Sequence, residues 1–419
     1  MTFLVEGAAI WSGLEGAEEP LSARLAVRDG RIHSLEAVSR AEESRPSTRV
    51  VRLPGRTIVP GLIDAHVHLE LDPRLRSPAE QLAVPMPLRR AAMARRAVEM
   101  LAAGITTARD CGGGMRFEHA LRDEILEGLR SGPRLLCCGR PLTTPEGHCA
   151  FWGGAVQTRP EIEQAVASEV ESGSDWIKVM ATGGVFTPGS RARDAQFEFS
   201  ELASIVALAR DAGRPVAAHC HGTEGIARAV RAGVRTIEHA SFAGPDGFGT
   251  VLDPALMREM AERELWVSPT VNAGWGRRVI DAKGAPSDFF LRMSRLLRAQ
   301  RDHGIRFIAS TDAGIPGVFH HDFVAGLLAF AKFAGLRPVE VLQAATAESA
   351  KALGIAEETG SLAPGRSADF LVLEGDPRED LACLADPEFV VFRGRWLDRN
   401  QRRAMVEDAQ RAETEAGGR

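Results

Sequence analysis

The spacing of apolar residues changes character twice along this chain. Up to about residue 60, apolar and polar positions alternate in short runs, the period of half-buried strands. Leu25-Ala26-Val27-Arg28 and Arg31-Ile32-His33-Ser34-Leu35 flank Asp29-Gly30, a dipeptide that favours a two-residue hairpin turn. Residues 39–48 are polar and predict a loop. The same style returns near the other end. Asp369-Phe370-Leu371-Val372-Leu373 predicts a strand, and Phe389-Val390-Val391-Phe392 turns through Arg393-Gly394 into Arg395-Trp396-Leu397. Both chain ends therefore predict one small β-sandwich domain, built from residues 1–57 and 361–419. The charged segment after Asp398 predicts a helix or a frayed tail.

Between these ends the pattern is a regular alternation. Short apolar runs at 58–64, 105–108, 134–138, 175–180, 215–218, 235–238, 265–269 and 306–310 predict strands, with helical patterns in the gaps. Glu201 to Arg210 is one such helix, with Ser200 as its N-cap and Gly213 beyond its end. Strands alternating with helices in this way predict an α/β fold, a (β/α)8 TIM barrel over residues 58–360. A doubly wound open sheet competes, but it usually carries a phosphate-binding glycine loop after its first strand. Here the first strand runs into His66-Val67-His68 and then Leu69-Glu70-Leu71-Asp72. Gly112-Gly113-Gly114 follows the second strand, and a lone glycine cluster is weak evidence.

Barrel enzymes carry their chemistry at the C-terminal ends of the strands. His66 and His68 are two apart, so in a strand both imidazoles face one way. Lys178 interrupts the apolar run Trp176-Ile177-Lys178-Val179-Met180, ahead of the turn Ala181-Thr182-Gly183-Gly184. Strand 5 ends in His219-Cys220-His221, strand 6 in His239 and strand 8 in Asp312. Singly, each has a plain explanation: a structural histidine, a lysine reaching solvent, a helix N-cap. Together they place a metal-competent residue at the ends of strands 1, 4, 5, 6 and 8. Neutral imidazole suits zinc and similar ions. A buried lysine has a depressed pKa, and as a neutral amine it can add CO2 to give a carbamate able to bridge two cations. Water between two such ions becomes hydroxide near neutral pH, and Asp312 is placed to hold it and relay its proton.

Composition narrows the alternatives. The chain has 419 residues, 44% hydrophobic and 26% charged, which is ordinary soluble globular composition. Its length fits a large barrel with an accessory domain. A net charge of −5 gives no electrostatic case for nucleic acid or an anionic membrane. No apolar stretch approaches the roughly 18–20 residues of a membrane span. Met1-Thr2-Phe3-Leu4-Val5-Glu6 acquires an acid at once, against a signal peptide. The six cysteines show no Cys-x-x-Cys spacing, so a cytoplasmic, reducing compartment is expected. Tyrosine is absent, so oxyanion or acid–base roles fall to histidine or a metal.

These motifs resemble the amidohydrolase superfamily nearly end to end. His66-Val67-His68 is similar to its strand-1 motif and Asp175 to Gly184 to its carboxylated-lysine strand. Ala218-His219-Cys220-His221-Gly222, Ile237-Glu238-His239 and Ser310-Thr311-Asp312-Ala313-Gly314 resemble its strands 5, 6 and 8. Gly360 to Asp369 resembles the exit from barrel to small β domain. The resemblance implies two divalent ions, expected to be zinc. His66, His68 and Asp312 would bind the more buried ion, His219 and His239 the second, and a Lys178 carbamate would bridge them. Within the superfamily the chain is most similar to the imidazolonepropionase-related prolidase and carboxypeptidase-like group, some of which hydrolyse ochratoxin. Pro141 to His148 resembles that group's strand-3 segment, which makes His148 the candidate for polarising the scissile carbonyl or binding a carboxylate. His221 stands where many relatives have tyrosine.

Further substrate contacts are expected from Asn272 after strand 7, His321 after strand 8, and Arg191 and Arg193 in the loop after strand 4. His33, His119 and His303 lie away from strand ends and are expected at the surface. The function expected is hydrolysis of small-molecule amides, such as dipeptides or N-acyl amino acids, by a metal-bridging hydroxide with Asp312 as proton shuttle. Cyclic amide, lactone or ester hydrolysis is the alternative on the same site. A non-catalytic scaffold is the remote one, since all six ligand positions are filled. A homo-oligomer is the default expectation from the resemblance.

Overall fold

The computed structural model describes residues 2–14, 16, 21–37 and 49–418, so the polar stretch 39–48 lies outside the described residues. Eight parallel strands follow one another in chain order: β1 Leu62–Val67, β2 Ile105–Asp110, β3 Arg134–Cys137, β4 Ile177–Met180, β5 Val216–Gly222, β6 Thr236–Ala243, β7 Trp266–Ser268 and β8 Arg306–Phe307. β1 to β3 form one hydrogen-bonded arc and β4 to β8 another. Backbone bonds close both seams. Leu142 donates to the Lys178 carbonyl and Met180 donates to that of Leu142, each at 2.8 Å. Across the other seam Ala65 donates to Ala309 at 3.0 Å, Asp312 to His66 at 2.9 Å and His68 to Ala313 at 2.7 Å. The result is a TIM-barrel-type α/β fold, with strands apolar on both faces as a helix-covered parallel sheet requires.

Helices Met86–Ala102, Phe117–Leu126, Arg159–Glu171, Phe199–Asp211, Thr223–Ala232, Pro254–Glu262, Asp288–Asp302 and Phe323–Ala334 follow the strands in turn. The fourth starts earlier than its pattern suggests. Glu198 caps it through a reciprocal box with Glu201, displacing Ser200 from that role. Gly213, at φ 70°, follows its end.

The apolar run expected as one strand over 58–64 divides between two sheets. Thr57–Pro60 pairs antiparallel with Phe370–Leu373 and parallel with Ala9–Ile10. After Gly61 the chain enters β1. The sheet that takes Thr57–Pro60 has nine strands drawn from both chain ends, including the hairpin Leu21–Arg28 to Arg31–Ala37. Its turn residues Asp29 and Gly30 have φ of 50° and 78°, as a type I′ turn needs. These strands share one apolar cluster, with Phe3, Leu25, Ile58, Phe370 and Val391 at its centre. The tail is a helix, Arg399–Gly417, laid on Met86–Ala102, with Arg402 donating to the Ala102 carbonyl at 2.7 Å. Among the described residues, no helix is long and apolar enough to cross a membrane.

Gly61 is required where the two sheets meet. A Cβ there would lie 2.2 Å from the Thr106 hydroxyl and 2.5 Å from its methyl. Gly61→Ala should lower stability by about 1–3 kcal/mol, the range for overpacking, read from denaturant unfolding. Thr106→Ala in the same chain should recover part of the loss. Unchanged stability in the single variant would mean that the junction is looser than described.

Candidate metal centre

The strand ends converge on one cavity of about 260 Å³, lined by His68, His148, Lys178, His219, His221, His239, Asn272 and Asp312 among others. Four of its lining residues have left-handed backbone: Cys149 at φ 60°, His239 at 68°, Thr270 at 53° and Asp312 at 61°. Non-glycine residues rarely adopt this conformation, and it clusters at sites where geometry is imposed.

His66 and His68 Nε2 face each other at 3.3 Å. Asp312 Oδ1 is 3.4 Å from the first and 3.5 Å from the second. Lys178 is fully buried, so it does not reach solvent, and its Nζ lies 3.4 Å from His66 Nε2. On the other side His239 Nε2 is 2.8 Å from His219 Nδ1. The outer ring nitrogens fix the tautomers. His66 Nδ1 donates to Glu238 at 2.8 Å, His68 Nδ1 to the Gly112 carbonyl at 2.7 Å and His219 Nε2 to the Gly183 carbonyl at 3.1 Å. Carboxylates and carbonyls only accept, so the hydrogens sit on those nitrogens. The inner nitrogens of His68 and His219 are thereby left as lone pairs, each facing the Nε2 of a second ring, that of His66 or of His239. Such a donor set fits cations, and among the described residues three trios have ligand atoms within 4.8 Å of one another: His66, His68 and Asp312; His219, His221 and His239; and, behind the first, His66, Cys111 and Glu238.

Electrostatics agree with that fit. Burial pushes His68 down to about 4, and His148 and His221 each to about 3. It holds His219 and His239 well below the ordinary imidazole value. Neutral imidazole is the ligand form. At His66 burial also opposes protonation, but Cys111 and Asp312 outweigh it and lift the group to about 9. Positive charge at Nε2 is favoured there, and a metal ion supplies it as a proton does.

The other expected residues divide. His148 lines the cavity with its ring 4.7 Å from that of His219, and its buried Nδ1 has no partner. Gly184 makes room for it, since a Cβ there would lie 2.4 Å from His148 Nε2. His221 stacks between His239 at 4.4 Å and Phe248 at 4.9 Å, with Nδ1 2.8 Å from the Ser241 hydroxyl. Asn272 lines the cavity but spends both amide ends locally, accepting from Gly274 N and donating to the Thr311 carbonyl. Arg191 and Arg193 are not brought in. Arg191 is exposed and pairs with Asp194 at 2.6 Å, and Arg193 is exposed with its Nε 3.7 Å from the same carboxylate. His321 also points away, 46% exposed, toward Glu99 and Asp322. Its neighbour His320 turns inward instead, with Nε2 3.1 Å from the His68 carbonyl. His119, expected at the surface, is buried with Nε2 3.1 Å from Ser174 Oγ.

Two carboxylates had no role in the sequence reading. Glu238 Oε2 holds His66 and its Oε1 accepts from Arg109 at 2.7 Å. Burial alone would raise its pKa, but Arg109 and His66 hold it well below the usual range. Asp64 accepts from the Thr311 hydroxyl at 2.5 Å and from Thr311 N at 3.2 Å, tying β1 to the segment that carries Asp312. Burial raises Asp64 to about 7. Its spacing, two residues from His66 and four from His68, was the available signal.

A parallel barrel with this polar cluster at its strand ends defines a TIM-barrel-type protein with a candidate metal centre. The family model described as "Amidohydrolase family" matches residues 57–397, and the chain belongs to that family. The ochratoxinase of Aspergillus niger is 28% identical over 420 residues, covering 91% of this chain and 84% of that one. Among solved structures, a Xaa-Pro dipeptidase with bound methionine in its active site superposes with TM-score 0.83 at 25% identity, covering 95% of this chain and 100% of the other. A prolidase described as putative, from Bifidobacterium longum, gives 0.78 at 29% identity, with 98% and 99% covered.

Glu238→Gln keeps the shape and loses the charge that orients His66. It should weaken metal affinity roughly 10- to 100-fold, read as metal retained after dialysis against a graded chelator. Glu238→Ala should in addition destabilise the fold, by about 3–5 kcal/mol, because Arg109 is left buried and unpaired. Wild-type metal retention in Glu238→Gln would remove Glu238 from the account of the site.

Proposed function

We propose that this chain is a binuclear metal-dependent hydrolase of amide bonds in small acyl-amines. That class spans dipeptides and N-acyl amino acids as well as uncharged amides. The observation that carries the reading is the convergence of two close imidazole pairs, a carboxylate and a buried lysine on one cavity. On this reading His66, His68 and Asp312 would hold one divalent ion and His219 and His239 the other, with Lys178, as its CO2 adduct, available to both. Zinc suits a site dominated by imidazole. When bound, the ions supply Lewis acidity and lower the pKa of water.

The side chains divide the remaining work. The Asp312 carboxylate takes the proton of the attacking water and returns it to the departing nitrogen, acting first as base and then as acid. His148 and His221 are neutral and can each offer one N–H, His148 to the scissile carbonyl. Ser241 orients His221 through its hydroxyl, and Gly184 leaves the room that His148 occupies. The names of relatives, ochratoxinase and Xaa-Pro dipeptidase, support an amide as the bond broken.

Asp312→Asn should keep the fold and most of the metal while lowering kcat roughly 10²- to 10⁴-fold, measured on dipeptides, N-acyl amino acids and anilides. Full activity in that variant would sink the mechanism. Lys178→Ala, prepared with bicarbonate and zinc, should bind fewer than two ions per chain, and acetate or propionate should partly restore the second. Two tightly bound ions without added acid would remove the carbamate from the reading.

A further inference from the structure

The cavity has a chemical bias that the reaction class leaves open. One wall is an apolar cluster separate from the barrel core: Leu71, Cys149, Trp152 and Met180, with Phe186 and Ile315 packed on it. Phe248 and Trp275 face the cavity as well. Val185, on the rim, is an exposed valine beside the opening. Among the described residues, no arginine lines this cavity, and its one lysine is Lys178, already assigned to the metal centre. The arginines of the adjacent loop, Arg191 and Arg193, turn outward to Asp194. The backbone of that loop is packed hard against Gly183 and Gly222: a Cβ at either glycine would lie 2.2–2.3 Å from the carbonyl oxygen of Arg193 or Arg191.

We propose that the substrate of this site is an uncharged acyl-amine, with an aromatic or branched aliphatic group and no free carboxylate beside the scissile nitrogen. The inference rests on the amide-hydrolase reading and narrows its substrate class. A carboxylate one carbon beyond that nitrogen would leave water for the apolar wall. Unpaired burial of a charge is strongly unfavourable unless a countercharge meets it. Ions at the centre would be engaged by the scissile carbonyl and by water, and among the described residues no arginine or second lysine lines the cavity to supply one. His148 and His221 pack against His219 and His239 with ring centroids 4.4–4.7 Å apart, which commits both to the reacting end of the cavity. The one carboxylate at the centre, Asp312, repels an anion. Aromatic and aliphatic groups instead meet Trp152, Phe186, Phe248 and Trp275, the kind of lining that binds neutral ligands by apolar burial.

The test uses a matched pair: N-phenylacetyl-L-phenylalanine and N-phenylacetyl-phenethylamine, which differ only by the carboxylate. On the zinc-loaded enzyme the neutral member should show kcat/KM higher by roughly 100-fold or more. Calorimetric binding of both to zinc-loaded Asp312→Asn separates affinity from turnover. There too the neutral member should bind more tightly. A ratio near one, or preference for the acid in either measurement, overturns the proposal, as does failure of both compounds to bind. If the neutral member binds preferentially but neither is hydrolysed by the wild type, the amide reading fails and the pocket preference stands. Arg191→Ala/Arg193→Ala should leave both ratios unchanged. Selective loss of turnover on the acid would show that this loop reaches the substrate, and would overturn the proposal as well.

Discussion

A carboxylate shut away from water stays ionised only where positive charge is brought to it, and inside this barrel that group is Glu238. It is fully buried on β6 and bonded to Arg109 on β2 and His66 on β1. Arg109 is itself fully buried. It donates to the Ala65 carbonyl at 2.8 Å and the Thr236 hydroxyl at 3.0 Å, and its guanidinium lies 4.6 Å from the Trp176 ring. Three strands that are not all neighbours are thereby locked through one ion pair. Buried pairs of this kind give little net stability against an apolar replacement, yet breaking them is severe. Their use here is orientation: the charge holds His66 Nδ1 and so aims Nε2 at Lys178, His68 and Asp312. The rest of the centre depends on that aim.

How much of this was legible in the sequence follows from backbone geometry. His66 with His68, and His219 with His221, obey the two-residue period of a strand, so their shared faces could be read directly. Glu238 and His239 are adjacent, and the same period puts them on opposite faces. In the structure both serve the interior, because His239 adopts a φ of 68° and breaks the alternation. Nothing in the residue types announces that break, so Glu238 was passed over. The run Thr57 to Ile63 reads as one strand because hydrophobicity reports burial and not partner. Only Gly61, squeezed against Thr106, marks the change of sheet. Arg191 and Arg193 show the opposite failure. Their charge and place in a loop after β4 suggested contact with substrate, but Asp194 offers a nearer partner.

The sheet built from the chain ends is more than an attachment. Asp369, buried at the entry to its strand Phe370–Leu373, accepts from Arg134 at the start of β3, from Thr359 and Ser367, and from the backbone N of Arg393. Its carbonyl accepts from Gly61 N at 3.0 Å, immediately before β1. One residue therefore connects the far sheet, the third barrel strand and the root of the strand that carries His66 and His68. From Gly61 the backbone of β1 is held without interruption: Leu62 donates to Gly104, Ile63 to Ala345, Ala65 to Ala309 and His68 to Ala313. The histidine pair is thus fixed at its base by the small sheet, along its length by both neighbours, and at its tip by Glu238 and Gly112. Ring nitrogens held 3.3 Å apart are a favourable contact only with a proton or a metal ion between them, and a strand anchored at every level keeps both placed for the cation.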